Sequence, residues 1–169
     1  MIFRKFVLAV VLAGVVTAPP AMAQQSSQLS AAEAAAIKTA VAEAAVTYFR
    51  YISEKNVKAV VEKSFIQPSI TIGASGVSLR APEQQTTQFE ANQKRLLESG
   101  WDRSEWSSQT VCVLNANAAL VSGKFNRFKK DGSSHSEGSE TILYAKAADG
   151  WRIVSIMIHD ANRVISCAG

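Results

Sequence analysis

The side chains of this 169-residue sequence that could carry out chemistry are few and far apart. His159 ends an apolar strand candidate and is predicted to share a face with the odd-numbered residues from Trp151 to Met157. A histidine in such a place could act as a general base near neutral pH. The alternative is a solvent-exposed histidine at a strand end, beside Asp160. Asp102, next to a predicted helix, is a further weak candidate for acid–base work.

The remaining candidates argue against a metal site. His135 lies in the polar segment SSHSEGS, a predicted hairpin tip, and is expected to be a surface residue. The two cysteines, Cys112 and Cys167, are distant from both histidines, so the chain has no cluster with metal-ligand spacing. It also lacks the glycine-rich phosphate-binding motifs, G-x-S-x-G and H-E-x-x-H. We therefore expect neither metal nor cofactor.

The first 23 residues read as a secretory signal peptide. A basic start containing Arg4 and Lys5 precedes an apolar run, and PPAMA ends in a small-x-small cleavage site at Ala23. The run is too short to span a bilayer comfortably, and no later segment is apolar for the required length. The sequence predicts a periplasmic or secreted protein with no membrane attachment after cleavage, a disordered leader over 24–30, one domain over 31–160 and a tail over 161–169.

Composition narrows the class of protein further. With 47% hydrophobic and 19% charged residues, the chain is neither disordered nor of low complexity. Loss of Arg4 and Lys5 with the signal lowers the formal charge from +4 to +2. Basic pairs are confined to Lys94-Arg95 and Lys129-Lys130 in the mature chain, so nucleic acid is not an expected partner.

Hydrophobic spacing predicts three helices followed by long strands. A capping box at Ser30 and Glu33 opens a helix over about 31–53, Asn56 caps a second over VKAVVEKS, and Pro82 begins a third that Gly100 stops. FIQPSITIG, confined to the edge by its proline, and VSLR are short strand candidates. Four longer strands with a period of two then form an antiparallel meander. The fold class is α+β, with a curved antiparallel sheet wrapped around the long first helix.

The last strand, WRIVSIMIH, is apolar on both predicted faces. Ile153 and Met157 should point one way, and Val154, Ile156 and Ile158 the other. An antiparallel strand with one wet face alternates cleanly, so both faces should be covered. A second subunit packed on the outer sheet face, giving a homodimer, is one interpretation, and a covering segment of the same chain is the other.

Four parts of the sequence together resemble the nuclear transport factor 2-like superfamily. They are the helix containing Tyr48, the segment SEKNVKAVV, the strand pair in ITIGASGVSLR and the ending ETILYAKAADGWRIVSIMIH. Within that superfamily, the likeness is to small bacterial SnoaL-like or ketosteroid isomerase-like proteins. The resemblance implies a cone-shaped α+β barrel with an apolar pocket. In the isomerases a tyrosine and two acids act on the substrate. Tyr48 matches the tyrosine, but Gly73 and either Ile142 or Leu143 stand where the acids should be.

Three functions remain open. The first is binding of a small apolar molecule in a pocket, which the missing acids favour over ketosteroid isomerisation. Its candidate lining is aromatic: Tyr48, Tyr51, Phe65, Phe89, Trp106, Phe125 and Tyr144. The second is an isomerase, dehydratase, cyclase or hydrolase that uses Tyr48, His159 or Asp102. The third is a module that recognises another exported protein.

Strand directions argue against a bond between Cys112 and Cys167. Cys112 lies near the end of the first long strand, and Cys167 lies beyond the end of the fourth. Alternating strands place these ends on opposite edges and at opposite ends of the sheet. A strand of twelve residues spans about 40 Å, and the tail reaches at most ~25 Å. Free thiols or a tail-to-tail link between two copies are therefore favoured over an intramolecular disulfide.

Overall fold

A computed structural model describes residues 29–167 of the chain. The predicted signal peptide (1–23) and all but the last two residues of the predicted leader lie outside the described residues. Within the described range, no helix has both the length and the apolar character needed to cross a membrane.

The three helices form where the sequence predicts them. Helix α1 spans Ala31–Ser53, and its N-terminus carries the expected capping box, in which Ser30 and Glu33 bond reciprocally. Helix α2 spans Val57–Ser64, with the Asn56 side chain accepting from the third backbone N–H of the turn. Helix α3 spans Pro82–Glu98, with proline at its first position.

Six strands form one open, mixed sheet, and the α+β prediction is confirmed. The strands run in the spatial order β2-β1-β6-β5-β4-β3, and all neighbours are antiparallel except β1 and β6, which are parallel. Their bounds are β1 Phe65–Gly73, β2 Gly76–Arg80, β3 Trp101–Asn115, β4 Ala118–Lys129, β5 Ser134–Ala147 and β6 Gly150–Ile158.

The prediction that β1 is an edge strand is wrong. β1 lies between β2 and β6, and β2 forms the edge. Pro68 falls within a register shift between Phe65 and Ile70, and pairing with β2 begins only at Ser69. A proline is tolerated inside a sheet at such an irregularity because no ladder hydrogen bond is required of it there.

Helix α1 packs on one face of the sheet, which we call the inner face. The core lies between them, with Val41, Ala45, Tyr48 and Phe49 from the helix buried. The sheet contributes buried apolar side chains from five strands: Phe65, Val111, Ala119, Val121, Phe125, Ile142, Tyr144, Ile153 and Ile156. Burial of this shared surface holds the long helix across the sheet.

A bulge changes the expected facing of β6. Tyr144 pairs with Ile153 and Leu143 pairs with Ser155, so Val154 is the extra residue. Ile153 and Ile156 therefore both enter the core on the inner face, although strict alternation placed them on opposite faces. Met157 remains on the outer face.

The C-terminal tail lies across the outer face, over β5 and β4. The backbone N–H of Ile165 donates to the Ser122 hydroxyl at 2.9 Å, and the Ser139 hydroxyl donates to the His159 carbonyl at 2.6 Å. Ser122, Ser139 and Thr141 are at most 2% exposed there. A segment of the same chain, the second of the two interpretations above, thus covers this part of the outer face.

The tail ends in a Cys112–Cys167 disulfide, with the two Cα atoms 5.6 Å apart, so the argument against this bond was wrong. β6 stops at Ile158, which is aligned through Glu140 and Gly123 with Gln109 of β3. Cys112 is only three residues further along, about 10 Å. The three strand spacings to cross add only ~15 Å. The two cysteines are therefore not separated by a full strand length, because β6 and β3 are staggered.

Candidate functional site

A cavity of about 730 Å³ lies between the inner sheet face and the helices. Its deep wall is made by α1 and strands β4, β5 and β6, and α3 forms the opposite side. The exposed lining residues belong mainly to the β1–β2 turn, α3 and the end of β6, and they mark the mouth. They include Ser75, Gly76, Gln88, Arg95 and Ile158.

Aromatic rings make the apolar part of the wall. Phe65 contacts Tyr48 and Phe89, each with ring centroids 5.8 Å apart, and Phe49 contacts Phe125 at 5.3 Å. Edge and tilted contacts of this kind fix the rings relative to one another. The wall therefore offers a preformed surface for an apolar body.

Gly138 allows Phe125 to lie where it does. The two residues are paired across β4 and β5, and a Cβ on Gly138 would come within 2.3 Å of Cζ of the Phe125 ring. No side chain fits between the ring and the strand. The glycine thus makes room for the Phe125 ring on the inner face, and Glu140 lies two residues further along β5 on the same face.

Glu140 is a buried carboxyl in this cavity. It is 7% exposed, and its Oε1 has no hydrogen-bond partner within the described chain. Burial raises the pKa of Glu140 to about 7, and the charge of Arg127 opposes part of that rise. The group can therefore gain or lose a proton near neutral pH.

Arg127 is the positively charged residue that lowers the pKa of Glu140. Burial lowers the pKa of Arg127, and the charge of Glu140 partly offsets this. Its guanidinium lies over the Phe125 ring, 4.8 Å from the centroid. Among the described residues, no carboxylate oxygen lies within 4.0 Å of it.

Two tyrosines complete the polar surroundings of Glu140. Burial, and then the charge of Glu140, raises the pKa of both Tyr48 and Tyr144 well above 10. Both are therefore neutral hydroxyls at physiological pH. The Tyr144 hydroxyl is buried with no partner within the described chain.

The structure brings together most, but not all, of the aromatic residues expected in a pocket. Tyr48, Tyr51, Phe65, Phe89 and Phe125 line the cavity. Trp106 instead donates its Nε1 to the Ala45 carbonyl at 3.2 Å, and borders a second, shallower cavity between α1 and β3. Tyr144 belongs to the core beneath the lining.

His159 does not face the cavity. The bulge in β6 separates it from Trp151 and Ile153, which turn inward, and its Nε2 lies 2.9 Å from the Thr141 hydroxyl on the outer face. That hydroxyl is in turn 2.7 Å from the Ser122 hydroxyl, which accepts from the tail. His159 thus belongs to the network that anchors the tail.

Asp102 and His135 also lie outside the cavity lining. Asp102 pairs with Lys55, whose Nζ is 3.4 Å from Oδ1. His135 contacts the hydroxyls of Ser99 and Ser136, at 2.8 and 2.9 Å. Within residues 29–167, no group of three His, Cys, Asp or Glu side chains could hold a metal ion.

Glu140 was not among the predicted site residues, because acids were expected only at the positions that the isomerase resemblance implies. Gly73 lines the cavity and Ile142 lies in the core, but neither residue has an acidic side chain. Yet Glu140, Ile142 and Tyr144 alternate on one face of β5. A carboxyl in line with two core positions was a signal available in the sequence.

An open curved sheet packed around a long helix, with a cavity between them, defines the nuclear transport factor 2-like class. The family model described as NTF2-like protein (DUF6841) matches residues 32–161. This chain belongs to that family. No curated protein matches the sequence.

Solved structures share the fold at low sequence identity. An NTF2-like superfamily protein from Salmonella enterica is 20% identical, with a TM-score of 0.56, covering 74% of this chain and 91% of that one. An NTF2-like protein with a cystatin-like fold from Novosphingobium aromaticivorans is 14% identical, with a TM-score of 0.61 and coverage of 73% and 81%. A ketosteroid isomerase-like protein from Erwinia carotovora is 15% identical, with a TM-score of 0.54 and coverage of 77% and 97%.

Proposed function

We propose that the mature protein binds a small molecule in the inner cavity, outside the cytoplasm. The observation that carries the proposal is Glu140, a buried carboxyl with an unpartnered oxygen in a cavity that has one aromatic wall. An unpartnered buried polar atom is costly unless something bonds to it. The ligand is therefore amphipathic, with an apolar body and a polar group, rather than purely apolar.

The location rests on two features of the chain. The first 23 residues have the pattern of a secretory signal peptide, and Cys112 lies at bonding distance from Cys167. Disulfides persist in oxidising compartments such as the periplasm. Both features support an exported protein.

Native mass spectrometry of protein purified from its own host tests binding. We expect a retained small-molecule mass that disappears in Asn92→Trp, because Asn92 lines the cavity and the indole would project into it and obstruct binding. Glu90→Trp, on an exposed position of the same helix, is the control and should retain the mass. Wild-type protein that carries no small molecule but a stoichiometric protein partner would contradict the proposal and favour an interaction module.

The second candidate function is catalysis in the same cavity, with Glu140 acting as general acid and base. The specific observation is the pKa of about 7, which lets the carboxyl donate and accept a proton at working pH. Glu140 joins the weak candidates Tyr48, His159 and Asp102, and of those three Tyr48 alone lines this cavity.

Deuterium exchange separates binding from catalysis without knowledge of the reaction. The molecule recovered from the protein is incubated with it in D₂O. A proton-transfer enzyme would place deuterium on carbon with wild-type protein and not with Glu140→Gln. A binding protein would give no incorporation with either.

A further inference from the structure

We propose that the cavity selects a carboxylate-bearing amphipathic molecule, with Arg127 binding the carboxylate, Glu140 donating a hydrogen bond to it from its neutral form, and the aromatic wall holding the apolar body. This inference rests on the proposed function and names the ligand class.

The first support is the charge of the lining. Its charged side chains are Arg80, Arg95, Arg127 and Glu140. In the described chain, none of the three arginines lies within 4.0 Å of a carboxylate oxygen. A half-buried guanidinium gains most when a desolvated anion reaches it, because the interaction is then weakly screened.

The second support is the relation between Arg127 and Glu140. They influence each other electrostatically but form no ion pair at 4.0 Å, although both lie on the inner face. Arginine presents a planar set of donors that fits a carboxylate with two hydrogen bonds. A protonated Glu140 adds an O–H donor. A group of acceptor oxygens placed between them satisfies both residues at once.

Other ligand charges fit less well. A cation would be repelled by Arg127, Arg80 and Arg95. A neutral alcohol would leave the guanidinium of Arg127 without a counter-charge. A carboxylate avoids both costs, as long as Glu140 itself carries a proton.

That condition predicts a pH dependence. The groups that face Glu140 are Tyr48 on α1, Arg127 on β4 and Tyr144 on β5. The tyrosines, with pKa values well above 10, stay neutral, and the arginine stays charged. β6 contributes Ile156 and Ile158 to the lining, and α3 contributes Arg95 at the mouth. Glu140 is the lining residue that titrates near pH 7, and its ionisation would repel the bound carboxylate.

Isothermal titration with decanoate and decan-1-ol, each below its aggregation threshold, tests the proposal. With the pKa of Glu140 at about 7, wild-type protein should bind decanoate about 30-fold more weakly at pH 8.5 than at pH 6.0. Binding of decan-1-ol should not change between the two. At pH 6.0, decanoate should bind more tightly than the alcohol.

Two variants assign the residues. Glu140→Gln keeps a donor and removes the titration, so it should bind decanoate equally at both pH values. Arg127→Met should lose the preference for decanoate over the alcohol. Arg103→Met is the matched control, because Arg103 also lies over a phenylalanine, at 4.7 Å from the Phe128 centroid, but outside this cavity. It should bind as wild type does.

The two proposals fail differently. Equal binding of both probes, or unchanged selectivity in Arg127→Met, overturns the carboxylate inference and leaves small-molecule binding intact. The inference is also overturned if neither probe binds while native mass spectrometry shows another molecule retained. Absence of any retained molecule and of any probe binding rejects both.

Discussion

At the residue scale, the buried carboxyl of Glu140 makes the free energy of unfolding depend on pH. A carboxyl whose pKa is higher in the folded state binds more protons there than in the unfolded chain, where its pKa is close to 4.5. Folding is therefore favoured at low pH and loses stability as pH rises from about 4.5 through 7. This is the opposite of the usual carboxylate, whose folded-state pKa is depressed.

We predict that Glu140→Gln removes this loss. Between pH 5 and 8, the free energy of unfolding of wild-type protein should fall by roughly 2–3 kcal/mol more than that of the variant. Urea unfolding at the two pH values measures it. Glu137→Gln, at an exposed position of the same strand, is the control and should follow wild type. Parallel pH profiles for wild type and Glu140→Gln would show that the carboxyl is not buried.

A second residue-scale prediction concerns Gly138. Gly138→Ala places a methyl group 2.3 Å from the Phe125 ring and must displace it, at a cost of about 1–3 kcal/mol. Thermal unfolding measures the loss, and fluorescence or titration with decanoate reports the altered wall. Gly73→Ala is the control for the melting temperature, since nothing lies within 4 Å of a Cβ there. An unchanged melting temperature in Gly138→Ala would contradict the close contact.

At the element scale, the C-terminal tail is a strap fixed at both ends. At its start, the His159 carbonyl accepts a hydrogen bond from Ser139 of β5. Further along, the tail donates a hydrogen bond to Ser122 of β4, and its end forms the disulfide with β3 through Cys167. The disulfide joins residues 55 positions apart, so it excludes many conformations of the unfolded chain.

We predict that the double variant Cys112→Ser, Cys167→Ser loses about 4 kcal/mol of stability by the loop-entropy model. Denaturant unfolding with and without reductant measures it. Reductant should lower the midpoint of wild type and leave the double variant unchanged. A midpoint of wild type that does not respond to reductant, together with two free thiols by mass, would show that the bond does not form.

At the scale of the whole molecule, the tail restricts where a homodimer can form. The expectation of a dimer through the outer sheet face remains a prediction, and the tail occupies that face over β4 and β5. Beside it, Ile70, Ile72, Val77 and Leu79 of the β1–β2 hairpin share the outer face. Val77 and Leu79 are 72% and 64% exposed. An exposed apolar patch of this kind is typical of an interface.

We therefore predict that Val77→Asp with Leu79→Asp converts a dimer to a monomer, because two carboxylates cannot be buried in an apolar contact. Light scattering after size exclusion measures the mass. Leu97→Asp, at a 48% exposed position of α3, is the control and should stay dimeric. A wild-type protein that is monomeric at high concentration would refute the dimer prediction.

The elements themselves were predictable because their signals are local. A capping box, an asparagine cap, a proline at the first helical turn and the period of two in the later strands set the three helices and most strand bounds. Of the aromatic residues expected in a pocket, Tyr48, Tyr51, Phe65, Phe89 and Phe125 line the cavity, and their role in binding stays a prediction.

What local signals could not give was register between distant strands. The bulge at Val154 turned His159 outward, the irregularity at Pro68 allowed β1 to lie inside the sheet, and the stagger of β6 against β3 brought Cys167 to Cys112. Each depends on which residue pairs with which across the sheet, and a shift of one residue reverses every face.

The sequence by itself therefore determined the fold class, the helices and the strand order along the chain, since these follow from propensity and hydrophobic period. Only the tertiary structure decided that Glu140, Arg127, Tyr48 and the aromatic wall share one cavity. The reason is that the groups around Glu140, such as Tyr48 on α1 and Arg127 on β4, come from elements far apart in the sequence, and no segment of the sequence contains that environment.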